Sequence, residues 1–285
     1  MRARIEIEPT SDHLCNAAAG RILASARQAI AARGSFSIAL SGGTTPRGAY
    51  RQLASPPLAT AADWPLWQVF WGDERWVPPQ DPQSNYHMAC VTLLNHVPVD
   101  PARVHPMVPR GWASPAADRS QRVGRGGMGA DSAEAASSYE GVLESELDVG
   151  GGEDSDASRA PTECRPPRLD LVLLGLGADG HTASLFPGAK AVEETRRWVV
   201  ATPAPGGEGE RDLPRLTLTL PVLNAAREVI FLVSGAAKSR VVAAVLTDNG
   251  VKVPKRRALP LPAARVVPAE GRLTWLLDEA AAADL

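Results

Sequence analysis

Short apolar segments, each followed directly by a loop of small or polar residues, constrain the fold of this chain most. FSIAL (36–40) runs into Ser-Gly-Gly, LDLVLLG (169–175) into a glycine-rich stretch, and EVIFLV (228–233) into Ser-Gly. Each segment is mainly apolar and too short for a typical helix, which is the pattern of a strand buried on both faces. Segments with helical spacing separate these strands. The alternation predicts the α/β class, with a mainly parallel sheet covered by helices on both faces.

The other elements are predicted from the same periodicities. RIEIE (4–8) alternates like a strand, and a helix capped by Thr10 or Ser11 follows it and ends at Gly34. WQVFW is predicted as a strand with a polar loop after it, and WVVATP and LTLTL as the fourth and fifth strands. Helices are predicted after Pro46, in SNYHMACVTLLN, in AEAASSYEGVLESEL, in AAKSRVVAAVLTD and in LTWLLDEAAAADL. This order is that of a Rossmann-like sheet.

Two segments interrupt the rhythm of strands and helices. Residues 111–132 and 149–167 are rich in Gly, Ser, Pro and charged residues, a composition typical of surface insertions rather than of a packed core. A length of 285 residues suits one large α/β domain. We therefore predict a single domain over residues 1–285, with mobile insertions at these two places.

Composition excludes several classes of partner. The 30 basic and 32 acidic residues give a formal charge of −2, so no basic surface for nucleic acid or an anionic membrane is expected. Cys15, Cys90 and Cys164 are odd in number and lie far apart, which fits a reducing compartment. The first residues have no apolar signal core, and no apolar segment is long enough to cross a bilayer. A cytoplasmic location is the expectation.

SGGTTP (41–46) lies between a strand and a helix. Gly42 and Gly43 let backbone N–H groups approach an anion, and the hydroxyls of Ser41 and Thr44 and a helix N-terminus lie beside them. These groups suit a phosphate, although a plain capped turn has the same composition. A third interpretation is the nucleophile elbow of a serine hydrolase at Ser41, in which Ala39 would replace the usual first glycine.

The polar residues of WGDER also follow an apolar strand. Asp73, Glu74 and Arg75 come where ligands bind in open α/β sheets, beyond the carboxyl ends of the strands. A surface ion pair is the commoner reason for such a sequence. Their position at the end of a strand favours a functional site.

LLGLGADGHTASLFPG (173–188) contains the spacing of a dinucleotide fingerprint. That site needs a long helix after the last glycine, but Pro187 and Gly188 would end any helix within about two turns. The loop instead brings Asp179 within two residues of His181. Histidine is the usual general base near neutral pH, and a carboxylate can orient it. No pair among the other four histidines has a spacing typical of a metal site.

Two cations occupy similar positions later in the chain. Arg215 precedes LTLTL, and Lys238 begins the helix after the sixth strand. Taken singly, each is more simply explained as a solvated surface charge. Together they could complete a phosphate pocket with the Ser41–Thr44 loop.

Five motifs in order resemble one family, the 6-phosphogluconolactonases, which are related to the glucosamine-6-phosphate deaminases. The motifs are LSGGTTP, WGDERWVP with SNY, LLGLGADGHTASLFP, PRLTLTLPVLNAA and LVSGAAKSRVV, and they cover nearly the whole chain. The resemblance implies one α/β domain that hydrolyses 6-phosphoglucono-1,5-lactone to 6-phosphogluconate in the oxidative pentose phosphate pathway, without metal or nucleotide cofactor. Its expected partner is the sugar-phosphate lactone, and the chain is expected to be a monomer or small homo-oligomer.

The resemblance also assigns roles. His181 would be the base that activates water, Asp179 its orienting partner, and Arg75 the cation that balances the developing oxyanion, with Asp73 lining the pocket. The phosphate would be held by Ser41, Gly42, Gly43, Thr44, Arg215 and Lys238.

Two alternatives to a lactonase stay open. The deaminases of the resemblance carry a glutamate just before the proline, where this chain has Phe186, and phenylalanine cannot transfer a proton. Lactonase is therefore favoured over deaminase. A sugar-phosphate sensor that has lost catalysis is the other alternative, but His181, Arg75 and the two predicted phosphate cations are all present.

Overall fold

The computed structural model describes residues 3–108, 130–147, 165–203, 213–248 and 261–285. Over these residues the strands are β1 (Arg4–Glu8), β2 (Phe36–Leu40), β3 (Trp67–Trp71), β4 (Asp73–Arg75), β5 (Leu171–Leu174), β6 (Val199–Thr202), β7 (Arg215–Leu218), β8 (Glu228–Val233) and β9 (Arg272–Asp278). The helices are α1 (Ser11–Arg33), α2 (Thr44–Leu53), α3 (Asn85–Thr92), α4 (Ala130–Glu146), α5 (Leu220–Ala225) and α6 (Ser239–Asp248).

Six strands form a parallel sheet in the order β1-β9-β8-β5-β2-β3. β2, β5 and β8 are buried along their whole length, as their continuous apolar sequences predict. Stacked rings of Phe231 on β8 and Trp275 on β9 lie 3.9 Å apart in the core. The predicted α/β fold with a mainly parallel sheet is confirmed.

The direction of winding reverses between β2 and β5. From β2 the chain moves outward to β3, whereas from β5 it moves the other way to β8 and β9. The loops that follow two such strands diverge and leave a crevice at the carboxyl edge, where ligands bind in open α/β sheets. The two loops in question are those that the sequence singled out, 41–46 and 175–188.

A second sheet was not predicted. β4, β7 and β6 form a three-stranded antiparallel sheet in that order. WVVATP and LTLTL are therefore strands, as predicted, but belong to this sheet rather than to the parallel one. The residues Asp73–Arg75, predicted as loop, form its strand β4. β7 alternates polar and apolar residues, as in an antiparallel strand, although all four of its residues are buried.

The C-terminal helix prediction was wrong. LTWLLDEAAAADL contains β9, which lies between β1 and β8, and turns follow it. Residues Thr274–Asp278 are buried, because β1 and β8 flank the strand and α1 packs against it. A short apolar run fits a buried strand or a helix equally well, and the alanines after it favoured the wrong choice.

Helix boundaries follow the predicted caps with small differences. The Thr10 side chain accepts a hydrogen bond from the His13 N–H at the start of α1, and Gly34 ends that helix with φ +79°. α2 begins at Thr44 rather than after Pro46, which lies within its first turn. None of the described helices is long and apolar enough to span a membrane.

The predicted insertions lie outside the described residues, apart from their edges. Residues 130–132 of the first belong to α4, which begins three residues before the predicted helix. Residues 165–167 of the second precede β5 without forming a helix or strand. The single-domain assignment and the mobility of these segments stay predictions.

Candidate active site

A cleft of about 320 Å³ opens at the carboxyl edge of the parallel sheet. The segments after β2, β5 and β8, together with β4 of the small sheet, line it. Its predicted site residues are Ser41, Gly42, Gly43, Thr44, Asp73, Arg75, His181 and Lys238. One concave site thus collects residues that are as much as 197 positions apart in sequence.

The Ser41–Thr45 segment presents the N-terminus of α2 to the cleft. Gly43 is the residue before the helix and has φ +104°, a conformation that favours glycine. The Tyr50 hydroxyl fixes the start of the loop, since it donates to the Ser41 carbonyl and accepts from the Ser41 N–H, both at 2.9 Å. The first N–H groups of α2 lack partners within the helix and carry a partial positive charge, so the segment can bind an anion.

His181 and Asp179 form a hydrogen-bonded pair on the loop after β5. Nδ1 of His181 lies 2.6 Å from Oδ1 of Asp179, and the same oxygen accepts the His181 backbone N–H at 3.1 Å. The turn is closed by the Gly177 N–H, which donates to the His181 carbonyl at 2.8 Å. A Cβ on Gly177 would lie 2.1 Å from Nδ1 of His181, so this position must be glycine for the imidazole to sit there.

This geometry selects one imidazole tautomer. Burial alone would raise the pKa of Asp179, but the backbone N–H, charge and ring N–H of His181 outweigh it and lower that pKa below its usual value. Asp179 is therefore a carboxylate at neutral pH and only accepts hydrogen bonds. Nδ1 of a neutral His181 must carry the proton, which leaves the lone pair on Nε2 free to take a proton from water.

β4 brings Asp73 and Arg75 to the opposite wall. They are two residues apart on one strand, so their side chains share a face of the small sheet. Asp73 accepts hydrogen bonds from the Ser184 hydroxyl at 2.6 Å and from the Asn85 amide at 3.3 Å. Arg75 is half-buried and donates to the Gln83 carbonyl at 2.5 Å. A carboxylate and a guanidinium thus lie in the same cleft as the imidazole.

The two predicted phosphate cations have different placements. Lys238 ends a 3₁₀ turn (Ala236–Lys238) after β8 and lines the cleft. Arg215 is buried on β7 and does not belong to the described residues that line the cleft. It lies opposite Arg75 in the pairing of β4 with β7, so the two side chains share one face of that sheet. The role of Arg215 in phosphate binding stays a prediction.

Glu74 fixes β4 to α3 and was given no role by the sequence. Its two buried oxygens accept four hydrogen bonds, from the backbone N–H groups of Arg75, Asn85 and Tyr86 and from the Ser84 hydroxyl, at 2.7–3.0 Å. Burial raises the pKa of Glu74, and the four donors act in the opposite direction. All four partners donate, an arrangement that only the carboxylate form satisfies fully.

Tyr50, Asn85 and Ser184 are further supporting residues that sequence reasoning missed. The SNY motif by itself does not show what the Asn85 amide binds, and the periodicity of a helix does not mark a tyrosine whose hydroxyl contacts a residue nine positions earlier. Across the described residues, no group of three His, Cys, Asp or Glu side chains could hold a metal ion.

Comparison with known proteins assigns the family. The model of the glucosamine-6-phosphate isomerases/6-phosphogluconolactonase family matches residues 9–275. The chain belongs to this family. Members include a 6-phosphogluconolactonase of Mycobacterium tuberculosis, 39% identical over 286 residues (100% of this chain, 99% of the relative), and one of Streptomyces coelicolor, 37% identical over 274 residues (95% and 90%).

Solved structures agree with this family assignment. The 6-phosphogluconolactonase of Trypanosoma brucei superposes with a TM-score of 0.77 at 31% identity and covers 100% of this chain and 99% of that one. The Trypanosoma cruzi enzyme gives 0.79 at 30% identity, with 100% and 97% covered. A monomeric glucosamine-6-phosphate deaminase at 19% identity and TM-score 0.69 shows the shared fold alone.

Proposed function

We propose that this chain is a 6-phosphogluconolactonase, which hydrolyses 6-phosphoglucono-1,5-lactone to 6-phosphogluconate. The observation that carries the proposal is the His181–Asp179 pair in the same cleft as the anion-binding N-terminus of α2. One part of the cleft suits a phosphate and another part supplies a base. Relatives that are 35–39% identical, are matched over 90–99% of their own length and bear this name support the same substrate.

In the proposed reaction the α2 N-terminus and Lys238 bind the phosphate and so place the lactone ring between them and His181. Nε2 of His181 removes a proton from a water molecule as that water attacks the lactone carbonyl. The Asp179 carboxylate stabilises the imidazolium that forms. Arg75 balances the charge that develops on the carbonyl oxygen. As the tetrahedral intermediate collapses, the ring C–O bond breaks and the imidazolium of His181 gives its proton to the leaving ring oxygen, which becomes a hydroxyl.

We further propose that the reaction needs no metal. A lactone is an activated ester, so a positioned water, a base and a cation supply the functions that a Lewis acid would otherwise supply. Activity measured with and without a chelator tests this directly. A rate that falls on chelation and returns with added metal would contradict it.

The first experiment measures hydrolysis of freshly generated lactone, coupled to 6-phosphogluconate dehydrogenase, with spontaneous hydrolysis subtracted. His181→Ala is expected to abolish most of the enzyme-dependent rate while binding of 6-phosphogluconate stays nearly intact, because the base and the phosphate anchor are separate clusters. His96→Ala removes an exposed histidine and serves as the control with full activity. Equal loss of binding in His181→Ala would contradict the assigned roles.

Assays with a second substrate distinguish the lactonase from the deaminase, which is the other activity named in the family. Phe186 packs against the His181 ring, with centroids 4.7 Å apart, at the position where the resemblance places a glutamate in the deaminases. Ammonia release from glucosamine 6-phosphate without lactone hydrolysis would replace the lactonase with a deaminase. Sugar-phosphate binding without either reaction would indicate a sensor.

A further inference from the structure

Ser184 connects the His181 loop to the small sheet. Its side chain is buried, with 1% of the residue exposed. The hydroxyl donates to Oδ2 of Asp73 at 2.6 Å, and the backbone N–H donates to the Thr217 hydroxyl at 3.2 Å. The acceptors belong to β4 and β7, which pair with each other at Asp73 and Thr217. Ser184 thus joins the loop that carries the base to the strand that carries Asp73.

The backbone of the loop is strained between His181 and Ser184. His181 and Ala183 line the cleft, whereas Thr182 and Ser184 are buried behind it. Ala183 has φ +47°, in the left-handed region that residues with a side chain seldom adopt. Such a conformation costs about 1 kcal/mol or more and persists where the surrounding structure enforces it. The observed strain lies directly between the base and Ser184.

Asp73 depends on this contact for its orientation. Asp73 lines the cleft, and its carboxylate accepts hydrogen bonds from the Asn85 amide at 3.3 Å and the Ser184 hydroxyl at 2.6 Å. The bond from Ser184 is the shorter one and binds Oδ2, whereas Asn85 contacts Oδ1. Each carboxylate oxygen can accept about two hydrogen bonds, so Asp73 keeps acceptor capacity for a hydroxyl of a bound sugar.

We propose that Ser184 is a positioning residue, which fixes the Asp73 carboxylate at the cleft wall relative to His181. This role rests on the proposed lactonase function. Without the hydroxyl, the buried carboxylate loses its shorter hydrogen bond and can rotate away from the substrate. Displacement of a positioned group by about 1 Å can lower a rate by about a hundredfold.

A double-mutant cycle tests the proposal. Ser184→Ala is expected to lower kcat/KM by about tenfold to a hundredfold. In an Asp73→Asn background, where the carboxylate is already gone, Ser184→Ala is expected to change kcat/KM by less than about twofold. If Ser184 had a structural role independent of Asp73, Ser184→Ala would lower kcat/KM by the same factor in both backgrounds, and that result would overturn the proposal. An unchanged kcat/KM in Ser184→Ala alone would also overturn it.

Thr182→Val is the matched control. Thr182 is as buried as Ser184 and lies on the same turn, but its hydroxyl donates to the Gly175 carbonyl at 2.9 Å. Thr182→Val is expected to change kcat/KM by the same factor in the wild type and in the Asp73→Asn background. Thermal unfolding of every variant checks that each is folded. Should Ser184→Ala fail to fold, Ser184→Cys, whose thiol is a weaker donor, is expected to show the same coupling with smaller factors.

The four proteins of the cycle, which are the wild type, Ser184→Ala, Asp73→Asn and the double variant, are also titrated with 6-phosphogluconate by calorimetry. This titration measures the coupling without turnover. A wild-type chain that binds this compound but hydrolyses no lactone contradicts the proposed function alone. Coupling of the two substitutions in the dissociation constant would then support the positioning role, and independent factors would overturn it. Absence of both turnover and binding overturns both proposals.

Discussion

At the residue scale, Gly177 decides whether His181 can occupy its place. Gly177→Ala puts a methyl group 2.1 Å from Nδ1 of His181 and 2.6 Å from Oδ1 of Asp179, so the pair must move apart or away. We expect kcat to fall by about a hundredfold with little change in KM, because other segments of the cleft, the N-terminus of α2 and Lys238, bind the phosphate in the proposed reaction. Steady-state kinetics of the variant measure both constants.

Gly20→Ala is the control for that substitution. Gly20 lies within α1, and a Cβ there would have no atom within 4 Å. Alanine is expected to stabilise the helix by about 0.5–1 kcal/mol and to leave kcat unchanged. If Gly177→Ala behaved like Gly20→Ala, the tight fit of His181 against Gly177 would have no part in catalysis.

Substitution of the two predicted phosphate cations, Lys238 and Arg215, tests whether they affect KM or kcat. Lys238→Ala and Arg215→Ala are each expected to raise KM by about tenfold, since a charged hydrogen bond contributes about 1.5–3 kcal/mol. kcat should stay within about threefold, because the phosphate is bound equally in the ground and transition states. An unchanged KM in both variants would remove these residues from the phosphate site.

At the element scale, Glu74 holds β4 against α3 and so sets the wall that carries Asp73 and Arg75. Glu74→Gln replaces one acceptor oxygen by an NH₂ group, which would face N–H or O–H donors. We expect the free energy of unfolding to fall by about 1–3 kcal/mol, as measured by urea denaturation. Glu134→Gln, at an exposed position of α4, is the control and is expected to change the free energy of unfolding little. Equal stability of the two variants would mean that Glu74 does not hold β4 against α3.

The elements that sequence predicts best here are those whose burial is determined locally. β2, β5 and β8 are apolar on both faces, and α1 carries its own caps at Thr10 and Gly34, so their sequences suffice. β4 and β9 depend on their neighbours. Asp73–Arg75 become a strand because β7 pairs with them, and LTWLLD because β1 and β8 enclose it. No local pattern contains that information.

The same division applies to the site. Ser41, Asp73, Arg75, His181 and Lys238 were recognisable because each follows or ends a strand, and strand ends meet at one edge of a sheet. Tyr50, Asn85 and Ser184 support them through hydrogen bonds that cross 9, 12 and 111 positions of sequence. These contacts exist only once the chain has folded, so a single sequence gives no signal for them.

At the scale of the whole molecule, the cleft exists only when both sheets are assembled. Its walls come from segments after β2, β5 and β8 and from β4, so an unfolded or half-folded chain cannot bind the ligand. A ligand that binds only the native state adds RT ln(1 + [L]/Kd) to its stability. 6-Phosphogluconate at a hundred times its Kd is therefore expected to raise the free energy of unfolding by about 2.7 kcal/mol.

This stabilisation separates the anchor from the base in one measurement. With the ligand held at the concentration used for the wild type, thermal unfolding of His181→Ala should show nearly the full increase in melting temperature. Lys238→Ala should show a smaller one, because a tenfold weaker Kd lowers the added stability by about 1.4 kcal/mol. The reverse order, with the shift lost in His181→Ala and kept in Lys238→Ala, would mean that the phosphate lies at the imidazole end of the cleft, and that the proposed orientation of the substrate is inverted.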